Sequence, residues 1–127
     1  MATVDVTQEN LRSLIEDSEF AIFDFWAPWC GPCQSFGPVF EQTSEKYPDI
    51  VFAKVNTEEQ QEIAGFFGIR SIPTLMVFRE QVLVYNNPGA LQASQLEELI
   101  RQVGELDMEK VKQEIAEQEA KQGQQGE

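Results

Sequence analysis

Histidine is absent from this 127-residue chain. Its absence removes imidazole as a general base and as a metal ligand together. Cysteine occurs twice, at Cys30 and Cys33, too few to close a structural zinc site, which typically takes four ligands. Basic residues are also scarce. Nine Lys and Arg stand against 22 Asp and Glu, for a formal net charge of -13. Nucleic acid and anionic membrane are both polyanions, so no binding to either is expected, and the acidity reads as a source of solubility. No apolar stretch is long enough to span a bilayer. The first residues, Met1 to Thr7, have neither the basic region nor the apolar core of a secretory signal. The expectation is a protein of the reducing cytosol. Persistent structural disulfides are rare there, and a close cysteine pair is more often catalytic or metal-bound.

What remains is ordinary for one globular domain: 42% hydrophobic and 24% charged residues, in a chain long enough to bury a core. Thr3 to Val6 can form a short strand. Thr7 is placed to cap a helix through Leu11, Leu14 and Ile15. Phe20 to Trp26 reads as a strand buried on both faces. A helix is expected from about Cys30 to Tyr47, with Phe36, Val39 and Phe40 inward and a kink at Pro38 inside it. Ile50 to Val55 is a second buried strand. Thr57-x-x-Gln60 has the form of a capping box before a short helix ending near Gly65 or Gly68. Thr74 to Phe78 and Val82 to Tyr85 read as a hairpin, and Asn86-Asn87-Pro88-Gly89 as a turn. Ser94-x-x-Glu97 is a second capping-box pattern, opening a helix with Leu96, Leu99, Ile100 and Val103 on one side. Gly104 divides a domain, residues 1–104, from an acidic extension, 105–127. The extension is expected to be partly helical, through Met108, Val111 and Ile115, and disordered from about Gly123. The alternation of strands and helices implies an α/β fold with a mixed sheet.

Chemistry concentrates at Trp29-Cys30-Gly31-Pro32-Cys33. A thiolate is the nucleophile in disulfide exchange. Cys30 stands where a helix begins, and the free N–H groups and dipole of that end favour negative charge. Cys33 is one turn on, close enough to attack a sulfur joined to Cys30 at a high effective concentration. The spacing supports a two-step exchange. It also fits two inert core thiols, or half of a zinc site shared between chains. Asp24 interrupts an apolar strand six residues before Cys30. Burial would raise its pKa and make it a proton donor and acceptor; a structural carboxylate is the alternative. Lys54 interrupts the other apolar strand, either as partner to Asp24 or as a strand-edge surface residue. Pro73 follows Ile72 directly before a strand, where a trans bond is the default. Trp26 and Trp29 are more often core and surface aromatics than catalytic groups.

The run Asp24-Phe25-Trp26-Ala27-Pro28-Trp29-Cys30-Gly31-Pro32-Cys33 resembles the active-site segment of the thioredoxin family. Ala53-Lys54-Val55, Gly68-Ile69-Arg70-Ser71-Ile72-Pro73-Thr74 and Gly89 follow in the family's order. The resemblance covers roughly residues 3–104. It implies the thioredoxin fold, a central five-stranded mixed sheet flanked by four helices. It implies a thiol-disulfide oxidoreductase, with Cys30 the nucleophile, Cys33 the resolving thiol, Asp24 the buried carboxylate that handles the Cys33 proton, and Lys54 beside it. Pro73 would be cis and packed on the cysteine pair. Trp29, Ile72, Pro73 and Gly89 would form the docking surface, and Trp26, Gly31 and Pro32 would support the motif. No bound cofactor is implied. Electrons would come from NADPH through thioredoxin reductase or a related reductase, and pass to disulfide-containing client proteins. A monomer is expected. Gly31-Pro32 between the cysteines resembles the reducing members, since oxidising relatives usually carry a histidine there.

Four features depart from the family pattern. Gln34 replaces a frequent lysine or arginine. Arg79-Glu80-Gln81 replaces an Asn-Gly or Asp-Gly turn, so an irregular turn is expected. Thr57 and Pro88 stand at rim positions that are typically aliphatic in the family, so a more polar or more rigid docking surface is expected. The extension after Gly104 has no counterpart in the minimal family. These departures support an alternative, a binding or co-chaperone module whose client is chosen by the rim and the extension.

Overall fold

The computed structural model describes residues 2–125. Strand β1 (Thr3–Asp5) is followed by α1 (Leu11–Glu16), β2 (Phe20–Trp26), α2 (Gly31–Lys46), β3 (Val51–Asn56), α3 (Gln61–Phe66), β4 (Thr74–Arg79), β5 (Val82–Pro88), α4 (Ala93–Gly104) and α5 (Met108–Gln125). The strands form one sheet in the order β1-β3-β2-β4-β5. β1, β3 and β2 run parallel, while β4 is antiparallel to β2 and β5 to β4. This is the mixed sheet expected. The part of the extension expected to lose order, from about Gly123, comprises the end of α5 and Gly126–Glu127, which lie outside the described residues.

Side-chain alternation along a strand divides the core in two. Ala21, Phe23 and Phe25 of β2 join Ala53, Val55, Met76 and Phe78 on one face, under Leu11, Leu14 and Ile15 of α1 and Ile63 of α3. Ile22 joins Phe52, Leu75 and Val77 on the other, under Phe36 and Phe40 of α2 and Leu96, Ile100 and Val103 of α4. Asp24 has the parity of Ile22, so it faces α2. In the parallel β2–β3 ladder its partner is Lys54, which therefore shares that face. The sequence pattern thus delivers both charged interruptions to the underside of the helix that carries the cysteines.

Several local expectations are corrected. Asn10, not Thr7, stands at the start of α1. Its side-chain carbonyl accepts the Thr7 N–H at 2.8 Å and its amide donates to the Asp5 carbonyl at 2.9 Å. Thr57 caps no helix. Its N–H and hydroxyl both donate to the Trp26 carbonyl, at 2.8 and 3.1 Å, tying the end of β3 to β2. Gln92 rather than Ser94 begins α4, with the Gln95 side chain accepting the Gln92 N–H at 2.9 Å. Asn86 to Pro88 continue β5, because ladder pairing with Thr74, Leu75 and Met76 overrides their turn composition. The β4–β5 turn is a tight two-residue loop, not an irregular one. Glu80 and Gln81 both take positive φ, 50° and 71°, a conformation that costs non-glycine residues about 1–2 kcal/mol each. The Glu80 N–H to the Glu19 carbonyl at 2.8 Å and the Gln81 amide to the Glu16 carbonyl at 3.1 Å offset that cost. The irregularity lies further on, where Val84 has no partner between the Val77–Tyr85 and Phe78–Leu83 pairs.

The same turn fastens the extension. Lys112 of α5 pairs with Glu80 at 2.8 Å. The Arg79 guanidinium donates to the Val103 carbonyl at 2.7 Å. Met108 is buried, and the side chains of residues 113–122 are exposed. β4 runs from Pro73 toward this turn, so α5 is attached at the pole of the sheet opposite the cysteines.

Candidate active site

Cys30 occupies the N-cap of α2 in extended conformation, and Gly31 and Pro32 fill the first two helical positions. Proline suits that place because its missing N–H would have had no intrahelical acceptor. Cys30 and Cys33 are joined as a disulfide across 5.2 Å between Cα atoms. The Cys33 N–H points at Cys30 Sγ, 3.2 Å away, as a capping donor would at an oxygen. Both residues are buried against Ala27, with Trp26 and Ile72 packed around them. A closed disulfide at a helix N-terminus fits the redox reading among the three open on the sequence alone.

The opposite wall is the loop before β4. The Ile72–Pro73 bond is cis. The Ile72 carbonyl oxygen lies 3.7 Å from Cys30 Sγ. Pro73 is buried, and its carbonyl accepts the Gly89 N–H at 2.8 Å. Gly89 has φ of 110°, a backbone state that L side chains rarely adopt. Trp29 is 66% exposed, and its indole N–H donates to Glu58. The Gln34 amide folds back on the Pro28 carbonyl at 2.6 Å. Of the four expected docking residues, Ile72 lies against Cys30, and Gly89 is tied to Pro73, the residue after Ile72.

Under α2 lies a cleft of about 230 Å³ bordered by Asp24, Trp26, Cys33, Glu41 and Lys54. Gly37 and Pro38 also line it, and a Cβ at Gly37 would touch nothing within 4 Å. Asp24 is 1% exposed and its Oδ1 has no hydrogen-bond partner. Burial pushes its pKa up to about 7, against a smaller downward pull from Lys54. The Lys54 ammonium forms its ion pair with Glu41 at 3.6 Å and sits 4.7 Å from the centre of the Trp26 ring. Sequence reasoning missed Glu41 and Glu58. Glu41 had a signal: it closes the helical stripe Gln34, Gly37, Pro38, Glu41, whose small middle members leave room beneath α2.

The thioredoxin family model matches residues 2–102. The chain belongs to the thioredoxin family. It is 52% identical over 122 residues to putative thioredoxin 2 of Streptomyces coelicolor, covering 96% of this chain and 91% of that one. That match includes most of α5. It is 44% identical over 89 residues to the thioredoxin of Chlorobaculum thiosulfatiphilum, covering 68% and 82% of the two chains. Among solved structures, a single-site mutant of the thioredoxin from Halobacterium salinarum superposes with a TM-score of 0.75 at 34% identity, covering 82% and 92% of the two chains. The oxidised thioredoxin of Plasmodium falciparum gives 0.71 at 35%, covering 80% and 97%. The thioredoxin fold and the Cys30–Cys33 pair make the protein a thiol-disulfide oxidoreductase that reduces protein disulfides. Thioredoxins in general are recharged by thioredoxin reductase and act on disulfide-bearing proteins. Among the described residues, no three or more His, Cys, Asp or Glu converge as a metal site. No described helix is long and apolar enough to cross a membrane.

Proposed function

We propose that client disulfides are reduced in two steps with divided roles for the cysteines. The Cys30 thiolate attacks one client sulfur, forms a mixed disulfide and releases the other client sulfur as a thiolate. Cys33 then passes its proton to Asp24 and attacks Cys30 Sγ. The Cys30–Cys33 disulfide forms, and the second client thiolate leaves. Two electrons pass to the client, and its two thiolates take up protons. The observation that carries this reading is the placement of the two sulfurs. Cys33 borders the cleft that holds the Asp24 carboxyl, while Cys30 does not border that cleft and its Sγ lies 3.7 Å from the carbonyl oxygen of the half-buried Ile72. An extended client segment pairing with the Ile72 main chain, as in strand addition, would deliver its sulfur to Cys30. Trp29, Pro73 and Gly89 flank that path, and Trp26, Gly31 and Pro32 hold it in shape.

Residues 1–104 carry this activity, in a monomer working in the cytoplasm. NADPH supplies the electrons through thioredoxin reductase. The attachment of α5 at the far pole argues against client selection by the extension. The test is coupled turnover: full-length protein, NADPH, a thioredoxin reductase and a disulfide-bonded protein substrate, followed by NADPH absorbance. NADPH loss matching the thiols released is expected, with a chain ending at Lys112 within about twofold of the full chain. No recharging would remove the reductase assignment. A large loss on truncation would favour the client-selecting extension.

A further inference from the structure

Asp24 and Lys54 are direct neighbours on adjacent strands, on one face of the sheet. Nothing in the ladder prevents the lysine from folding onto the carboxylate. It does not do so. Its ammonium forms no ion pair with Asp24 and lies instead 3.6 Å from Glu41 and over the Trp26 ring. Asp24 Oδ1 is left without a partner. The Lys54 side chain is only 16% exposed, so its position is held by the walls of the cleft and not by solvent.

We propose that Glu41 is a positioning residue for proton handling: its carboxylate holds the Lys54 ammonium in an ion pair of its own and off Asp24. The proposal rests on the reading that Asp24 takes the Cys33 proton. A lysine seated on Asp24 would hold that carboxylate ionised and make it a poor proton acceptor. A lysine too distant would leave Asp24 protonated and equally unable to accept. Glu41 sets the intermediate case. The charged and titratable groups facing Asp24 are Lys54 from β3 and Cys33 and Glu41 from α2; Leu75 pairs with it from β4. On its other side Lys54 is bordered by Asp5 of β1 and by Glu59, neither of which lies in the Asp24 cleft.

The test uses the full-length reduced protein. Asp24 is titrated by carboxyl-carbon NMR, and the rate of reduction of a protein disulfide is measured between pH 5 and 9. Glu41→Gln should lower the Asp24 midpoint by at least about half a pH unit and move the acid limb of the rate profile by the same amount. Glu41→Asp should restore most of the shift. In a Lys54→Gln background, Glu41→Gln should have no further effect, because the lysine through which it acts is gone. An unmoved midpoint in Glu41→Gln would overturn the proposal. So would an equal shift with Lys54 absent, which would mark a direct charge effect. Asp24→Asn separates the two levels. If the acid limb survives that substitution, the Asp24 reading itself fails. If it vanishes while Glu41→Gln does nothing, only the role of Glu41 fails.

Discussion

Cys30→Ser should abolish disulfide reduction, lowering the rate by more than about 10³-fold. A hydroxyl at this position is almost wholly protonated near neutral pH and forms no disulfide. The fold should survive, because serine fills the site and remains a preferred N-cap. Cys33→Ser should fail in a different way. Attack by Cys30 still occurs, but the resolving thiol is missing. Intramolecular attack is worth an effective concentration of about 10⁵ M or more for well-oriented groups, which no external thiol at millimolar level replaces. The mixed disulfide with the client should therefore accumulate, one client per chain, and be visible on a non-reducing gel. If Cys33→Ser trapped nothing and Cys30→Ser trapped client instead, the two roles would be reversed.

Asp24→Asn should stabilise the protein at alkaline pH while impairing it as a catalyst. The carboxyl ionises near 3.8 when free and near 7 in the fold, because burial disfavours its charged form. Between those values the folded state binds the extra proton. Stability therefore falls as pH rises from about 4 to about 7, and the full penalty persists above. A shift of about three units corresponds to on the order of 4 kcal/mol. Asparagine cannot ionise, though its buried amide offsets part of the gain. The variant should melt roughly 10 °C higher at pH 8, with the difference shrinking toward pH 4. Melting curves at pH 4, 6 and 8 test this. A gap that is constant with pH would mean that Asp24 ionises normally in the fold. The same substitution should slow the resolving step, since a positioned general base contributes about 10²-fold or more.

Features written into residue periodicity and into the cysteine motif were legible in the sequence. The apolar run of β2, the helix after Cys30 and the interruptions at Asp24 and Lys54 were all visible, and strand parity then placed both charges under α2. Helix starts were less legible. Thr57-x-x-Gln60 and Ser94-x-x-Glu97 match a local pattern, but hydrogen bonds between separate elements, such as Thr57 to Trp26, decided the first. Asn86 and Asn87 have turn chemistry, yet the ladder to Leu75 and Met76 holds them in β5. The Glu41–Lys54 pair depends on the packing angle of α2 over β3, which no single-sequence pattern encodes.

The central claim is that Cys30 and Cys33 form a reducing dithiol pair, and its reduction potential tests this most directly. The protein would be equilibrated against a thiol-disulfide buffer of known poise. A value near the thioredoxin family's characteristic potential, about -270 mV, is the expectation taken over from the family. It agrees with Gly31-Pro32 between the cysteines and with the absence of any histidine beside them. A potential above about -200 mV would make the protein an oxidant or isomerase of its clients, and failure to form any intramolecular disulfide would contradict the account at its root.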